Sequence, residues 1–402
     1  MTELMPVPRD LVDPLLRELG GWLGAPDPAR REAFVRGWDD RTVAAAQRLL
    51  AAHGVASHLA RTVAAGPIVE VLPGAIRTWI EGQDRANRER IDRLHGELAA
   101  ALRAFAAAGL PVLPLKGSIL STRAGADPYR RPMADLDLLV RPADLEASRS
   151  VLAGLGYRRR PEGGRLPTHD TFERPGNDRV VSADGEHPDN PRPIELHVEV
   201  KRHLWGWVDD DDLTPFLWLE AHPGSVLGEP AMLPSDQALL AHLAIHATSD
   251  LLVGRGRLVQ WLDLAEVAGS GVVEVAGSGR AALPADELGS LPHPRLVLPS
   301  LRLAARRLPD RFHGLDLTPL EARVPGLLAR WSATVPLDSR AGLQAARLGP
   351  NEMATSAGRW SRWAPSRWRL AVAHGDQPLP IALLRHGSRL IRVARRRAAD
   401  RS

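Results

Sequence analysis

Two aspartates stand two residues apart, Asp135 and Asp137, in the short apolar run DLDLLV at 135–140. Successive side chains of a strand alternate faces, so both carboxylates project to one side while Leu136 and Leu138 pack behind them. The stretch IELHVEVK at 194–201 repeats the device. It puts Glu195, His197, Glu199 and Lys201 on one face and Ile194, Leu196, Val198 and Val200 on the other. Side by side, the two strands present three or four carboxylates on one surface. Such carboxylates repel and raise one another's pKa until a cation neutralises them. Hard oxygen donors of this kind favour Mg²⁺ or Mn²⁺.

Upstream, LPVLPL at 110–115 is followed by Lys116, Gly117 and Ser118. The pattern predicts a strand, a tight turn and a short helix with Ser118 at or near its N-cap. Backbone N–H groups at such a turn receive anions, glycine lets the backbone approach closely, and serine adds a hydroxyl donor. Lys116 and Arg131 are further candidate phosphate ligands, the arginine in bidentate fashion. An anion cradle beside a metal-binding carboxylate pair is what nucleotidyl transfer requires. One ion activates the attacking hydroxyl and another holds the triphosphate.

The segment LPVLPLKGSILSTRAGADPYRRPMADLDLLVRPADLEASRSVLAGLGYRR resembles the uncharacterised bacterial nucleotidyltransferase family of the DNA polymerase beta-like superfamily. Gly117, Ser118, Asp135 and Asp137 match its Gly-Ser and Asp-x-Asp elements, and IELHVEV matches its later acid–Leu–His strand. LLAHLAIHATSD and GRLVQWLDLAEV resemble its downstream helices, so the likeness spans about residues 85–268. It implies Asp135, Asp137 and Glu195 as the catalytic and metal-binding acids, with Glu199 a rival to Glu195. It also implies Lys116, Gly117, Ser118, Arg131 and His197 on the nucleotide side. The implied reaction moves an NMP from an NTP to an acceptor hydroxyl with release of pyrophosphate, an EC 2.7.7-like activity with Mg²⁺ or Mn²⁺. The acceptor is open, a small molecule or peptide being favoured over RNA, and ATP is one candidate donor. The alternative is a catalytically inactive nucleotide sensor or scaffold.

Other candidates have plainer readings. His242 and His246 share a helix face but lack a third ligand, so packing or nucleotide contact is preferred to zinc. Asp263 with Arg257 reads as a salt bridge near the site, and the acids at 209–212 as a cap for the next helix.

The elements that must position these residues are mostly helical. Apolar spacing predicts short helices at 41–50 and 55–64 and a long one at 76–108, stopped by Gly109. A helix is expected at 142–155, a long loop or hairpin at 158–193, and a strand over all of 194–201. Further helices are expected at 235–250, capped by Ser235, and at 258–268, 302–308 and 320–332. The expected fold is α/β (α+β), a small mixed sheet between helical regions. The expected division is a helical region at 1–108, a catalytic core at 109–205, a helical domain at 206–335 and a basic tail at 336–402.

Composition bounds the rest. The 402 residues are 44% hydrophobic and 25% charged, enough for a sizeable core and too apolar for a disordered chain. No apolar run is long enough to cross a bilayer, and the first residues lack the pattern of a secretory signal. There is no cysteine, hence no disulfide and no thiolate metal site, which fits a cytoplasmic location. Only two of 52 basic residues are lysines, Lys116 and Lys201, and both fall in the two chemistry-bearing segments. Residues 359–402 hold eleven arginines against two aspartates, a net +9, on a chain whose total is +4. The predicted amphipathic helix at 381–397 makes that tail a candidate for an anionic partner.

Overall fold

The computed structural model describes residues 9–23, 28–64, 72–123, 127–160, 169–178, 180–181, 185–201, 212–252, 256–268, 283–324, 326–332, 380–381 and 383–384. Four helices open the chain: α1 (Arg9–Leu23), α2 (Pro28–Arg36), α3 (Asp40–Ala52) and α4 (Ala56–Ala64). The long α5 (Gly74–Ala107) follows. Next come β1 (Leu113–Leu115), α6 (Gly117–Leu120), β2 (Leu136–Leu139), α7 (Leu145–Gly154), β3 (Arg158–Arg159), β4 (His169–Glu173) and β5 (Ile194–His197). Then α8 (Thr214–Leu219) leads into a hairpin of β6 (Ala221–Val226) and β7 (Glu229–Pro234). The remaining helices are α9 (Asp236–Leu252), α10 (Leu258–Ala268), α11 (Ala285–Ser290), α12 (Pro294–Arg307), α13 (Thr318–Glu321) and α14 (Gly326–Ser332).

The five-stranded sheet runs β1-β2-β5-β4-β3. Only β2 and β5 are parallel; every other pair is antiparallel. The fold is therefore mixed α/β, as the sequence patterns imply. Pro114 lies on β1 at the sheet's edge, where its missing N–H costs least. The hairpin covers that edge, with Met232 N donating to Val112 O at 2.8 Å.

Local chemistry explains the helices. Asp39 caps α3 by accepting from Thr42 N at 2.8 Å, and Ser235 caps α9 by accepting from Ala238 N at 3.1 Å. In α5, Ile76, Ile80, Ile91, Leu94, Leu98, Leu102 and Phe105 form one buried stripe. Gly109 ends this helix with φ +69° while Leu110 N donates back to Phe105 O. Buried side chains of α3, α5, the sheet, α9, α10 and α12 belong to one continuous apolar cluster. His53, at the end of α3, joins it to α10: Leu258 N donates to its Nδ1, and Val259 N to its carbonyl, both at 3.2 Å.

Several expectations change. The strand expected over 194–201 stops at His197, because β2 and β4 offer it only four pairing positions. Lys201 makes a separate bridge to Asp212. Within 158–193 the hairpin alternative is the one observed: β3 pairs with β4 antiparallel, and β4 pairs in turn with β5. Helix α12 starts eight residues before the expected 302 and carries Pro299 inside it. The segment expected as one helix at 320–332 is divided between α13 and α14. The β6–β7 hairpin escaped the sequence patterns because Pro223, Gly224, Pro230 and Pro234 mask its alternation. The basic tail at 359–402 and the helix expected at 381–397 lie outside the described residues, apart from 380–381 and 383–384.

Candidate active site

Three strands bring the chemistry together. In the parallel β2–β5 ladder Asp137 stands opposite Glu195. In the antiparallel β5–β4 ladder His197 stands opposite His169. Period-two alternation then puts Asp137, Glu195, His197 and His169 on one face. His197 Nε2 lies 3.0 Å from Asp137 Oδ1 and 3.6 Å from Glu195 Oε2. His169 Nε2 lies 3.4 Å from Glu195 Oε1, and the two imidazole rings are 4.9 Å apart. Both oxygens of Glu195 thus face histidines. Glu199, beyond the end of β5, is engaged elsewhere: Lys201 Nζ donates to it at 2.7 Å.

The turn after β1 locks onto the same aspartate. Lys116 Nζ donates to Asp137 Oδ1 at 2.6 Å. Ser118 is fully buried, and its Oγ accepts from the Asp137 backbone N–H at 3.0 Å. Its hydroxyl therefore ties the turn to β2. Lys116 itself has φ +47° and ψ −122°, a conformation that favours glycine and costs a side-chain-bearing residue roughly 1–3 kcal/mol. The contact with buried Asp137 offsets that cost.

Gly117 is required by crowding. A Cβ there would lie 2.5 Å from Arg131 Nη1 and 2.8 Å from Met133 Sδ. The Arg131 guanidinium is held over the turn by Asp263, whose Oδ1 accepts from Nε at 2.7 Å. The sequence pairs Asp263 with Arg257; the structure gives it Arg131 instead. Among the acids expected to cap the next helix at 209–212, Asp212 lies two residues before α8 and accepts from Thr214 N at 3.0 Å, but the N-cap position itself is Leu213; the other three acids lie outside the described residues.

The charges are strongly perturbed. Burial, reinforced by the carboxylates of Asp137 and Glu195, pushes Asp135 up to about 7, against the pull of Lys116 and Arg131. Burial also acts to raise Asp137, but Lys116 and His197 outweigh it and hold that carboxyl well below the usual range. Burial acts to lower His197, yet its hydrogen bonds to Asp137 and Glu195 raise it. His169 is lowered, chiefly by burial. Acids pushed apart in this way, within one cluster, make this group a candidate functional site.

Two residues escaped the sequence reading. His169 opens β4, inside the segment taken as loop or hairpin; the alternation HDTFE was its only signal. Arg90 lies on the buried stripe of α5, next to Ile91. It is 3% exposed and spends its guanidinium on backbone carbonyls. Nε donates to Met133 O at 2.9 Å, Nη2 to Ala134 O at 3.0 Å and Pro191 O at 2.6 Å, and Nη1 to Asn190 O at 2.7 Å. One side chain thereby joins the residues just before Asp135 to those just before β5. A charged residue on an apolar stripe is the signal that could have revealed it.

His242 is buried on α9, and His246 lies 3.8 Å from Asp250. Among the described residues, the group of donors close enough to hold a metal ion is His169, Glu195 and His197, with ligand atoms within 4.8 Å of one another. Among the described residues no helix is long and apolar enough to cross a membrane.

No curated protein matches the chain. A family model described as "Uncharacterised nucleotidyltransferase" matches residues 39–272, which include every residue of the site. The match covers more than half of the sequence and runs from α3 to just past α10, so this chain belongs to that nucleotidyltransferase family.

Proposed function

We propose that the chain transfers a nucleoside monophosphate from an NTP to an acceptor hydroxyl, within the DNA polymerase beta-like superfamily. The observation that carries this reading is the register of Asp137 with Glu195 beside the Lys-Gly-Ser turn. The acceptor oxygen bonds to the α-phosphorus, the bond from that phosphorus to the β-phosphate oxygen breaks, and pyrophosphate leaves. The hydroxyl proton passes to a base. Asp135 and Asp137 are the residues that would hold Mg²⁺ or Mn²⁺. The donor set fits: a carboxyl driven up to about 7 by its acidic neighbours is one that a cation stabilises in ionised form. When bound, the ion polarises the phosphates and lowers the pKa of the attacking hydroxyl. Glu195 completes the ligand set or accepts the proton. Gly117 and Ser118 supply the turn for the triphosphate, with Lys116, Arg131 and His197 around it.

The proposed core is 109–205, with helical regions at 1–108 and 206–335. We place the reaction in the cytoplasm and assign the tail at 359–402 to an anionic partner. A small molecule or peptide is the acceptor class we favour. Calorimetry with each NTP, with and without Mg²⁺, tests the reading: tight binding should require the metal.

One observation favours a second reading. Lys116 and His197 already balance Asp137, at 2.6 and 3.0 Å. A site neutralised by its own side chains suits a nucleotide sensor without turnover. Metal-independent NTP binding with no pyrophosphate release would favour it.

A further inference from the structure

We propose that His169, Glu195 and His197 form a binding site for a late first-row divalent cation of the zinc or cobalt type, beside the aspartate pair. The inference rests on the nucleotidyltransferase reading only in that the ion would serve the same reaction centre.

Glu195 and His197 are two apart on β5 and share a face, and His169 is directly opposite His197 on β4. The three donors thus share one face of a single ladder, Glu195 standing two rungs from the His197–His169 pair. Each oxygen of Glu195 points at a different imidazole, Oε1 at His169 Nε2 (3.4 Å) and Oε2 at His197 Nε2 (3.6 Å). Two imidazoles and one carboxylate on one side of an ion, with the other side open, is a recurrent set for zinc and for iron-type ions. Mg²⁺ prefers oxygen donors in strict octahedral geometry and would leave this set to a softer ion.

Lys116 makes the arrangement affordable electrostatically. Its ammonium stays on Asp137 when His197 turns toward an ion, so the buried aspartate keeps a partner. Asp135 and Asp137 then remain the oxygen-rich position, Glu195 is shared between the two positions, and the histidines define the second, of different selectivity. The chain has no cysteine, so no thiolate competes for a soft ion.

The probe is Co²⁺ added to the metal-free full-length protein, followed by its visible absorption. We expect one tightly held Co²⁺ per chain that a large excess of Mg²⁺ does not displace. His169→Ala should weaken binding by about tenfold or more, since even groups behind metal ligands are worth roughly 10–100-fold. His246→Ala, on α9 and outside the His169–Glu195–His197 group, should leave Co²⁺ binding unchanged. Displacement by Mg²⁺, or equal affinity in His169→Ala, overturns the proposal. Cu²⁺ paramagnetic resonance on the unmodified protein gives a readout that needs no variant: splitting by two nitrogens is expected, and its absence overturns the proposal. Co²⁺ held by the histidines in a protein that binds no NTP would sink the functional reading alone. Mg²⁺-dependent transfer with Co²⁺ binding indifferent to His169 would sink the histidine site alone.

Discussion

Lys116 Nζ and Asp137 Oδ1 are 2.6 Å apart, and the lysine reaches that position from a backbone with φ +47°. Two costs are thereby joined: a buried carboxylate that needs a cation, and a strained residue that needs a reason. Lys116→Ala removes the cation and keeps the strain, while Lys116→Gly removes both. Loss of one partner of a buried pair costs about 3–5 kcal/mol. We expect both variants to be destabilised in chemical denaturation, the glycine variant by about 1 kcal/mol less. Equal midpoints for the two would show that the backbone stores no strain.

Ser118→Ala tests the tie between turn and strand. It leaves the buried Asp137 N–H without its acceptor, a loss of about 1–3 kcal/mol. Hydrogen exchange at the Asp137 amide should accelerate, while amides on α12 should not change. Unchanged exchange at Asp137 would mean that the hydroxyl is free for another role.

Arg90→Lys keeps the charge on α5 but cannot span carbonyls on both pre-strand segments. We expect faster hydrogen exchange at 133–135 and 190–195 together, and a loss of stability on the order of 3 kcal/mol from the lost charge-assisted hydrogen bonds. Loosening of only one segment would refute the clamp.

Stability should also depend on two buried histidines outside the site. Burial, helped by the Arg257 charge, lowers His53 from 6.5 to about 4, and burial sets His58 well below its usual value. The unfolded chain takes up these protons near pH 6.5, before the folded chain does. Stability is therefore complete above about pH 6.5 and falls as the pH drops towards 4. His53 alone accounts for on the order of 3 kcal/mol of that fall. His53→Asn should flatten the decline across that window in urea titrations; parallel curves for variant and parent would contradict the assignment.

The site was legible where chemistry and period coincide. Asp135, Asp137 and Glu195 declared themselves by alternation, and Gly117 and Ser118 by the strand–turn pattern. The long α5 and α10 followed from apolar spacing. What stayed hidden depends on pairing between distant strands. His169 joins the cluster only because β4 lies against β5, a register that no local pattern in residues 169–173 encodes. Asp263 meets Arg131 across 132 positions of sequence. Arg90 binds main-chain carbonyls, which any sequence supplies, so its partners carry no signature. The true length of β5 was likewise fixed by its neighbours, since the alternation of 194–201 continues past the point where pairing stops.

The central claim is metal-dependent transfer at Asp135 and Asp137. The most direct measurement uses NTPs labelled at the α-phosphorus, with Mg²⁺ or Mn²⁺ and a panel of small-molecule, peptide and RNA acceptors. Label should appear on an acceptor with pyrophosphate in equal amount, and Asp135→Asn and Asp137→Asn should each lose at least about a hundredfold. Full transfer by both variants would contradict the claim.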